Sequence, residues 1–284
     1  MRTIFVNGKF VDESDAVISV FDRGFLFADA VYEGIAVLGR KLVDFNGHID
    51  RLKRSCGELD IPYQADGDEI QEVLKTLIER NNLDEGFIYF QVSRGVAERD
   101  FVYDNSAMTP SVVSFTQAKS IIDNPVAKKG ISIATVEDLR WGRCDIKTVQ
   151  LLHSSLSKME AQKRGADDAW LIKDGVVLEG TSNNAYIVTN ENTIVTRPLS
   201  RAILPGITRA AILQYAEETG IKVEAREFTV EEAKAANEAF ITSATTFLFP
   251  VVEIDGQQIG DGKPGEISKR IRELYIQESL KRAI

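Results

Sequence analysis

The sequence predicts an α+β protein of two domains, a smaller N-terminal α+β domain and a larger C-terminal domain with a barrel-like mixed sheet. Its 284 residues are close to two domains of the usual ~150 residues. The first half groups hairpins and helices into blocks, whereas the second half has many short strands divided by turns. We place the N-terminal domain at 1–118, a linker at 119–129 and the C-terminal domain at 130–284, because the hydrophobic pattern lapses around the turn signal Asn124-Pro125.

In the N-terminal domain, apolar residues alternate on both sides of Asn7-Gly8, which predicts a first hairpin. A second hairpin is predicted with strands at 31–37 and 42–45 and a turn at Gly39-Arg40. Helical periodicity then predicts two amphipathic helices, one around Ile49 to Leu59 and one around Ile70 to Ile78. Strands at 87–93 and 111–116 complete this domain.

In the C-terminal domain, short apolar runs between turn residues predict seven strands and four helices. The strands are expected at 131–136, 169–172, 185–188, 194–196, 223–228, 240–242 and 251–254. The helices are expected at 148–164, 208–219, 230–236 and 266–282.

The composition excludes several classes of function. A net charge of −9 disfavours nucleic-acid binding, which needs a cationic surface. Two cysteines are too few for a disulfide framework, and two histidines are too few for a multi-histidine metal site, so we expect no metal. No apolar run approaches the ~18 residues of a membrane helix, and no signal peptide is visible. We therefore expect a cytoplasmic protein without a membrane partner.

The turn Gly206-Ile207-Thr208 stands before a predicted helix, where backbone N–H groups and the helix dipole attract a phosphate. Arg51, placed by the pattern on the polar side of its helix, could clamp the same phosphate with two hydrogen bonds. Both features also have simpler explanations. Thr208 is equally suited to cap its helix, and Arg51 alone is most often a surface charge.

Lys147 lies between a predicted strand and a predicted helix, where a buried amine could act as a nucleophile. Holding a lysine neutral near pH 7 costs roughly 4–5 kcal/mol, so on spacing alone a surface lysine is the simpler interpretation. Glu179 precedes glycine and small polar residues that commonly line ligand loops, but it is equally a loop carboxylate. The residues alone lead no further than a candidate site for a phosphate-bearing cofactor.

Several longer motifs occur together and in order along the chain. They are DRG at 22–24, VYE at 31–33, HIDRL at 48–52, IYFQVSRG at 88–95, RWGRCDIK at 140–147, EGTSNN at 179–184 and LPGITR at 204–209. In these motifs and their spacing the chain resembles the fold-type IV pyridoxal-phosphate aminotransferases, most closely the D-amino acid (D-alanine) aminotransferases. The resemblance runs nearly from end to end, from Asn7-Gly8 to the IDG at 254–256.

The resemblance implies a role for each matching residue. Lys147 carries pyridoxal 5'-phosphate and moves the substrate proton, and Glu179 pairs with the pyridine nitrogen so that the ring accepts electrons. The phosphate is held by Arg51 and by Ile207 and Thr208, the last two partly through backbone N–H groups. The remaining implied cofactor contacts are Tyr32 near the phenolic oxygen, Leu204 on the ring face, and Ser182 and Asn183 along the pocket.

Three positions depart from the family pattern. The D-amino acid enzymes read Arg-x-His where this chain has Arg99-Asp100-Phe101. Ala244 stands where the family usually has a threonine near the phosphate, so Ser243 or Thr245 is expected to compensate. Branched-chain aminotransferases often carry an arginine at the position of Ala36.

We therefore expect the substrate carboxylate to be bound by Arg99 and the Tyr32 hydroxyl, next to Phe101. Reinforcement could come from Arg140, Arg143 or His48. The expected activity is a ping-pong transfer of the amino group of D-alanine or D-glutamate to 2-oxo acids, in a homodimer whose site lies between the two domains. Alternatives on the same fold are a branched-chain L-amino acid aminotransferase, an (R)-selective amine transaminase, an aminodeoxychorismate lyase and a non-catalytic binding protein.

Overall fold

The computed structural model describes residues 1–284, and these residues divide into two compact units. Unit 1 contains Met1–Ser120, Ile146–Gln150 and Leu280–Ile284, and unit 2 contains Ile121–Asp145 and Leu151–Ser279. The segment with Lys147 therefore belongs to unit 1, although it lies far along the chain. The division into domains with a linker at 119–129 stays a prediction.

Unit 1 is built on an antiparallel sheet of six strands in the order β2-β1-β6-β5-β3-β4. The predicted first hairpin is confirmed, because Val6 pairs with Lys9 across Asn7 and Gly8, which both have positive φ. The strands are β1 Thr3–Val6, β2 Lys9–Asp12, β3 Ala30–Leu38, β4 Lys41–Leu42, β5 Glu85–Ser93 and β6 Ser111–Ala118.

Three helices accompany this sheet, namely α1 Arg23–Phe27, α2 Phe45–Glu58 and α3 Gly67–Arg80. The two predicted amphipathic helices are confirmed as α2 and α3, whose apolar faces share one buried core with β3 and β5. The return strand of the second hairpin was predicted too long. Asp44 takes a left-handed conformation with φ of 51°, which ends the extended chain, and α2 begins at the next residue.

Unit 2 contains a mixed sheet of nine strands in the order β12-β11-β10-β13-β14-β7-β8-β9, with β15 paired to β14. A connection of only three residues, 181–183, joins the edge strand β9 to β10 in the interior of the sheet. The sheet must therefore curl, which agrees with the predicted barrel-like form. The strands are β7 Ile131–Glu137, β8 Asp168–Lys173, β9 Val176–Gly180, β10 Asn184–Val188, β11 Ile194–Thr196, β12 Val223–Ala225, β13 Glu238–Ser243, β14 Phe247–Ile254 and β15 Gln257–Gln258.

Five helices follow from residue 125 onward. They are α4 Pro125–Lys129, α5 Leu152–Lys163, α6 Ile207–Glu218, α7 Val230–Lys234 and α8 Glu266–Arg282. The predicted start of α5 at residue 148 was wrong, because Thr148 is extended and pairs with Val31. The strand predicted at 223–228 ends at Ala225. None of the helices combines the length and the apolar character needed to cross a membrane.

Candidate active site

Lys147 is positioned by backbone pairing with β3. Its carbonyl oxygen accepts a hydrogen bond from the Tyr32 N–H at 3.0 Å, and the next residue, Thr148, forms a β-bridge with Val31. The Lys147 amine lies 3.4 Å from the Tyr32 hydroxyl and 4.4 Å from the centre of its ring. Tyr32 in turn stacks on Tyr89 at 5.1 Å. The structure thus brings together the predicted nucleophile and the predicted substrate-binding tyrosine on a rigid strand.

Arg51 is buried, so its predicted place on the polar side of the helix was wrong. It forms a two-pronged ion pair with Glu33 of β3, in which Nε lies 2.8 Å from Oε1 and Nη2 lies 2.6 Å from Oε2. His48 Nδ1 contacts the same Oε2 at 2.7 Å. Burial raises the pKa of Glu33, but Arg51 and His48 outweigh it and bring this pKa to about 2. Glu33 thereby fixes the guanidinium that we expected at the phosphate.

Glu179 is buried in unit 2 with donors at both oxygens. Arg140 Nη1 donates to Oε1 at 2.6 Å, while the Asn184 side-chain amide and the Leu204 N–H each donate to Oε2 at 3.1 Å. Asn184 also donates to the Leu204 carbonyl at 3.0 Å. Sequence reasoning missed Asn184, although it is the last residue of the EGTSNN motif. The structure shows that it ties the Glu179 carboxylate to the turn at Leu204.

Arg140 and Arg143 each bind an aspartate two residues away in sequence. Arg140 meets Asp138 through Nε and Nη2 at 2.9 and 3.0 Å, and Arg143 meets Asp145 through the same two nitrogens at 3.0 and 3.1 Å. Burial raises the pKa of Asp138, but Arg140 outweighs it and holds that pKa below its usual value. Because both arginines carry carboxylates of their own unit, their expected role at the substrate stays a prediction.

The turn before α6 offers donors for an anion. The first helical residues, Ile207 and Thr208, follow Gly206, which provides no side-chain cap. A Cβ on Gly206 would lie 2.1 Å from Asn184 Oδ1, so this close approach requires glycine. Thr208 is buried, and its hydroxyl lies 3.5 Å from the Tyr275 hydroxyl. An uncapped helix N-terminus of this kind suits a phosphate group.

The other predicted cofactor contacts differ in their surroundings. Ser243 at the end of β13 is hydrogen-bonded to Thr246 at 2.8 Å and lies 3.5 Å from the Thr245 hydroxyl. Ser182 is exposed, whereas Asn183 is buried and donates to Asp168 at 3.0 Å. Asn183 thus braces the connection between β9 and β10. The cofactor roles of these residues stay predictions.

Arg99 and Phe101 lie on the exposed segment between β5 and β6. The Phe101 side chain is 78% exposed and meets Phe27 edge-on at 5.7 Å, and the Arg99 guanidinium lies 5.6 Å from the same ring. Buried Arg23 holds this segment by donating to the Asp100 carbonyl at 2.8 Å. The structure therefore presents Arg99 and Phe101 on a surface of unit 1.

The chemistry of these residues fits pyridoxal phosphate. Lys147 provides a half-buried amine, and the turn at Gly206 provides unused N–H donors and a helix dipole for the phosphate. Glu179 provides a buried carboxylate that three donors hold in one orientation. An amine, an anion site and a carboxylate partner are the groups that this cofactor requires of a protein.

Comparison with known proteins agrees with this chemistry. The D-alanine aminotransferase of Bacillus licheniformis is 40% identical over 282 residues, which are 99% of this chain and 97% of that protein. The D-alanine aminotransferase of Staphylococcus haemolyticus is 38% identical over 277 residues, or 97% of each chain.

The solved structures that resemble this chain include branched-chain aminotransferases. The enzyme of Thermoproteus uzoniensis, solved with norvaline, is 25% identical with a TM-score of 0.86, and the similarity covers 99% of this chain and 95% of that one. The T.th. enzyme, solved with pyridoxamine 5'-phosphate, is 26% identical with the same TM-score and coverage. The sequence pattern of the class IV aminotransferases matches residues 30–254. The chain belongs to the class IV aminotransferases, and it is a pyridoxal-phosphate-dependent enzyme of the fold-type IV architecture.

Proposed function

We propose that this enzyme transfers the amino group of D-amino acids, D-alanine and D-glutamate among them, to 2-oxo acids by a ping-pong mechanism. Full-length similarity to two D-alanine aminotransferases supports the substrate class. The observation that carries the activity is the Lys147 amine, which β3 holds 3.4 Å from the Tyr32 hydroxyl. The predicted cytoplasmic location stays a prediction.

Each residue of the chain has a defined task in this reaction. Pyridoxal phosphate, when bound, supplies a ring that accepts electrons from the substrate carbon. Lys147 binds the cofactor and, once substrate displaces it, takes the proton from one carbon and returns it to another. Arg51 and the N–H groups of Ile207 and Thr208 hold the phosphate. Glu33 holds Arg51 in place, and Glu179 accepts a hydrogen bond from the protonated ring nitrogen.

Replacing the nucleophile tests the activity itself. We expect Lys147→Ala to lose the visible absorbance of the bound cofactor and nearly all turnover, because both the covalent link and the proton carrier disappear. Spectra and initial rates with D-alanine and 2-oxoglutarate measure both effects. Lys128→Ala removes an exposed lysine of unit 2 and should change neither. Near wild-type turnover in the Lys147 variant would contradict the proposal.

Replacing Arg51 tests the phosphate site. A charge-assisted hydrogen bond contributes about 1.5–3 kcal/mol, so Arg51→Ala should raise the pyridoxal phosphate concentration needed for half-maximal activity by about 10- to 150-fold. The rate at saturating cofactor should change much less. Arg54→Ala, on the same helix but 40% exposed, is the matched control. Unchanged cofactor affinity in the Arg51 variant would remove this residue from the phosphate site.

The substrate carboxylate is the least constrained part of the proposal. A carboxylate taken out of water needs a fixed cation or several donors. We propose Arg99 and the Tyr32 hydroxyl for this role, with Phe101 in place of the family histidine. Arg140 and Arg143 are weaker candidates because Asp138 and Asp145 hold them.

Kinetics of Arg99→Ala test this assignment. We expect kcat/KM for D-alanine to fall by about 10- to 150-fold, the effect of one charge-assisted contact, with no parallel fall for (R)-1-phenylethylamine. The wild-type enzyme should prefer D-alanine to that amine and to L-leucine, which separates the proposal from an amine transaminase and a branched-chain L-amino acid aminotransferase. Equal, small losses on both substrates would place the carboxylate elsewhere.

We also propose that the enzyme is a homodimer. The Ala97 N–H donates to the Phe21 carbonyl at 3.3 Å, so two segments rich in exposed apolar side chains lie side by side. Monomers rarely expose large apolar patches, and a second copy of the chain would cover this one. The patch contains Val20, Phe21, Phe25, Phe101 and Val102, which are 47–82% exposed.

Sedimentation equilibrium tests the dimer. We expect a mass of twice 31.5 kDa for the wild-type protein and a shift toward the single-chain mass for Val20→Asp/Phe25→Asp, because burying two carboxylates opposes association. Leu199→Asp, at an exposed leucine of unit 2, should leave the dimer intact. A monomeric wild-type protein at micromolar concentration would contradict the proposal.

A further inference from the structure

Arg140 connects two carboxylates in unit 2. Its guanidinium meets Asp138 side-on, donates to Glu179 Oε1 at 2.6 Å and reaches the Ala202 carbonyl at 3.3 Å, and its side chain is only 12% exposed. Burial lowers the pKa of Arg140, but Asp138 and Glu179 outweigh it and hold this pKa above its ordinary value. Arg140 is therefore a permanent cation in a fixed orientation against Glu179.

The ionised form of Glu179 depends on such a partner. A carboxylate that is 4% exposed takes up a proton unless opposite charge and hydrogen bonds offset the lost hydration. Arg140 supplies that charge at one oxygen. The amide of Asn184 and the Leu204 N–H donate to the other oxygen, so the carboxylate cannot turn without breaking hydrogen bonds.

We propose that Arg140 is a positioning residue that acts through Glu179: it keeps this carboxylate ionised and oriented, so that a proton shared with the ring nitrogen of pyridoxal phosphate lies on the nitrogen. The inference rests on the proposed role of Glu179. When the guanidinium is removed, the carboxylate becomes the stronger base, so the N–H bond breaks, an O–H bond forms on Glu179 and the ring becomes neutral. No other reactant is needed.

Nitrogen-15 NMR of the enzyme loaded with ring-labelled pyridoxal phosphate reports the position of this proton directly. The wild-type resonance should be that of a protonated pyridine, and Glu179→Gln should give the unprotonated reference. We expect Arg140→Met, which keeps the length of the side chain but removes its charge, to move the resonance at least half of the way toward that reference. Arg140→Lys keeps the charge and should stay closer to wild type.

Two further variants control for the loss of an ion pair. Arg164→Met breaks the pair with Asp255 in the same unit and should leave the resonance at its wild-type position. Arg140→Met leaves Asp138 buried without its cation, which endangers folding. The double variant Asp138→Asn/Arg140→Met removes both charges together and should show the same shift as the single variant.

The outcomes separate this inference from the proposed function. A wild-type resonance in Arg140→Met, or in the double variant if the single one does not load, would overturn the role of Arg140 while Glu179 keeps its own. An unprotonated nitrogen in the wild-type enzyme, or no change in Glu179→Gln, would instead contradict the proposed role of Glu179.

Discussion

Buried pairs of opposite charge are the interaction on which the candidate site depends. Glu33 and Arg51 neutralise each other in unit 1, and Glu179 and Arg140 do so in unit 2. Neither carboxylate would stay ionised at such depth without its arginine. Because the guanidinium is planar and rigid, each pair also fixes a direction in space. Charge and geometry are thereby set before any cofactor or substrate binds, which is the preorganisation that catalysis needs.

Much of the fold could be predicted from the sequence, because its strongest signals are local. The Asn7-Gly8 turn, the periodicity of α2 and α3 and the bounds of α8 all match the structure. The hairpin between β8 and β9 was missed although Asp174-Gly175 marks it, because the short strand after the turn gives little alternation. Thr148 was assigned to a helix because its pairing with Val31, over one hundred residues earlier, leaves no local pattern.

The site was less predictable, since its order comes from contacts between distant residues. The motifs and the family resemblance pointed to Lys147, Glu179 and Arg51. They did not reveal that Arg51 is buried against Glu33, because the helix pattern treats every arginine as polar. The role of Asn184 depends on the curling of the sheet, which brings it to both Glu179 and Leu204. Asp138 was missed because its function appears only once Arg140 is seen between two carboxylates.

The central claim is that Lys147 is the residue that carries pyridoxal phosphate. Sodium borohydride fixes the cofactor covalently to the amine that holds it, and mass spectrometry of the digested protein identifies that amine. The account predicts the added mass on the peptide that contains Lys147 and on no other peptide. Modification of a different lysine, or none after loading with pyridoxal phosphate, would contradict it.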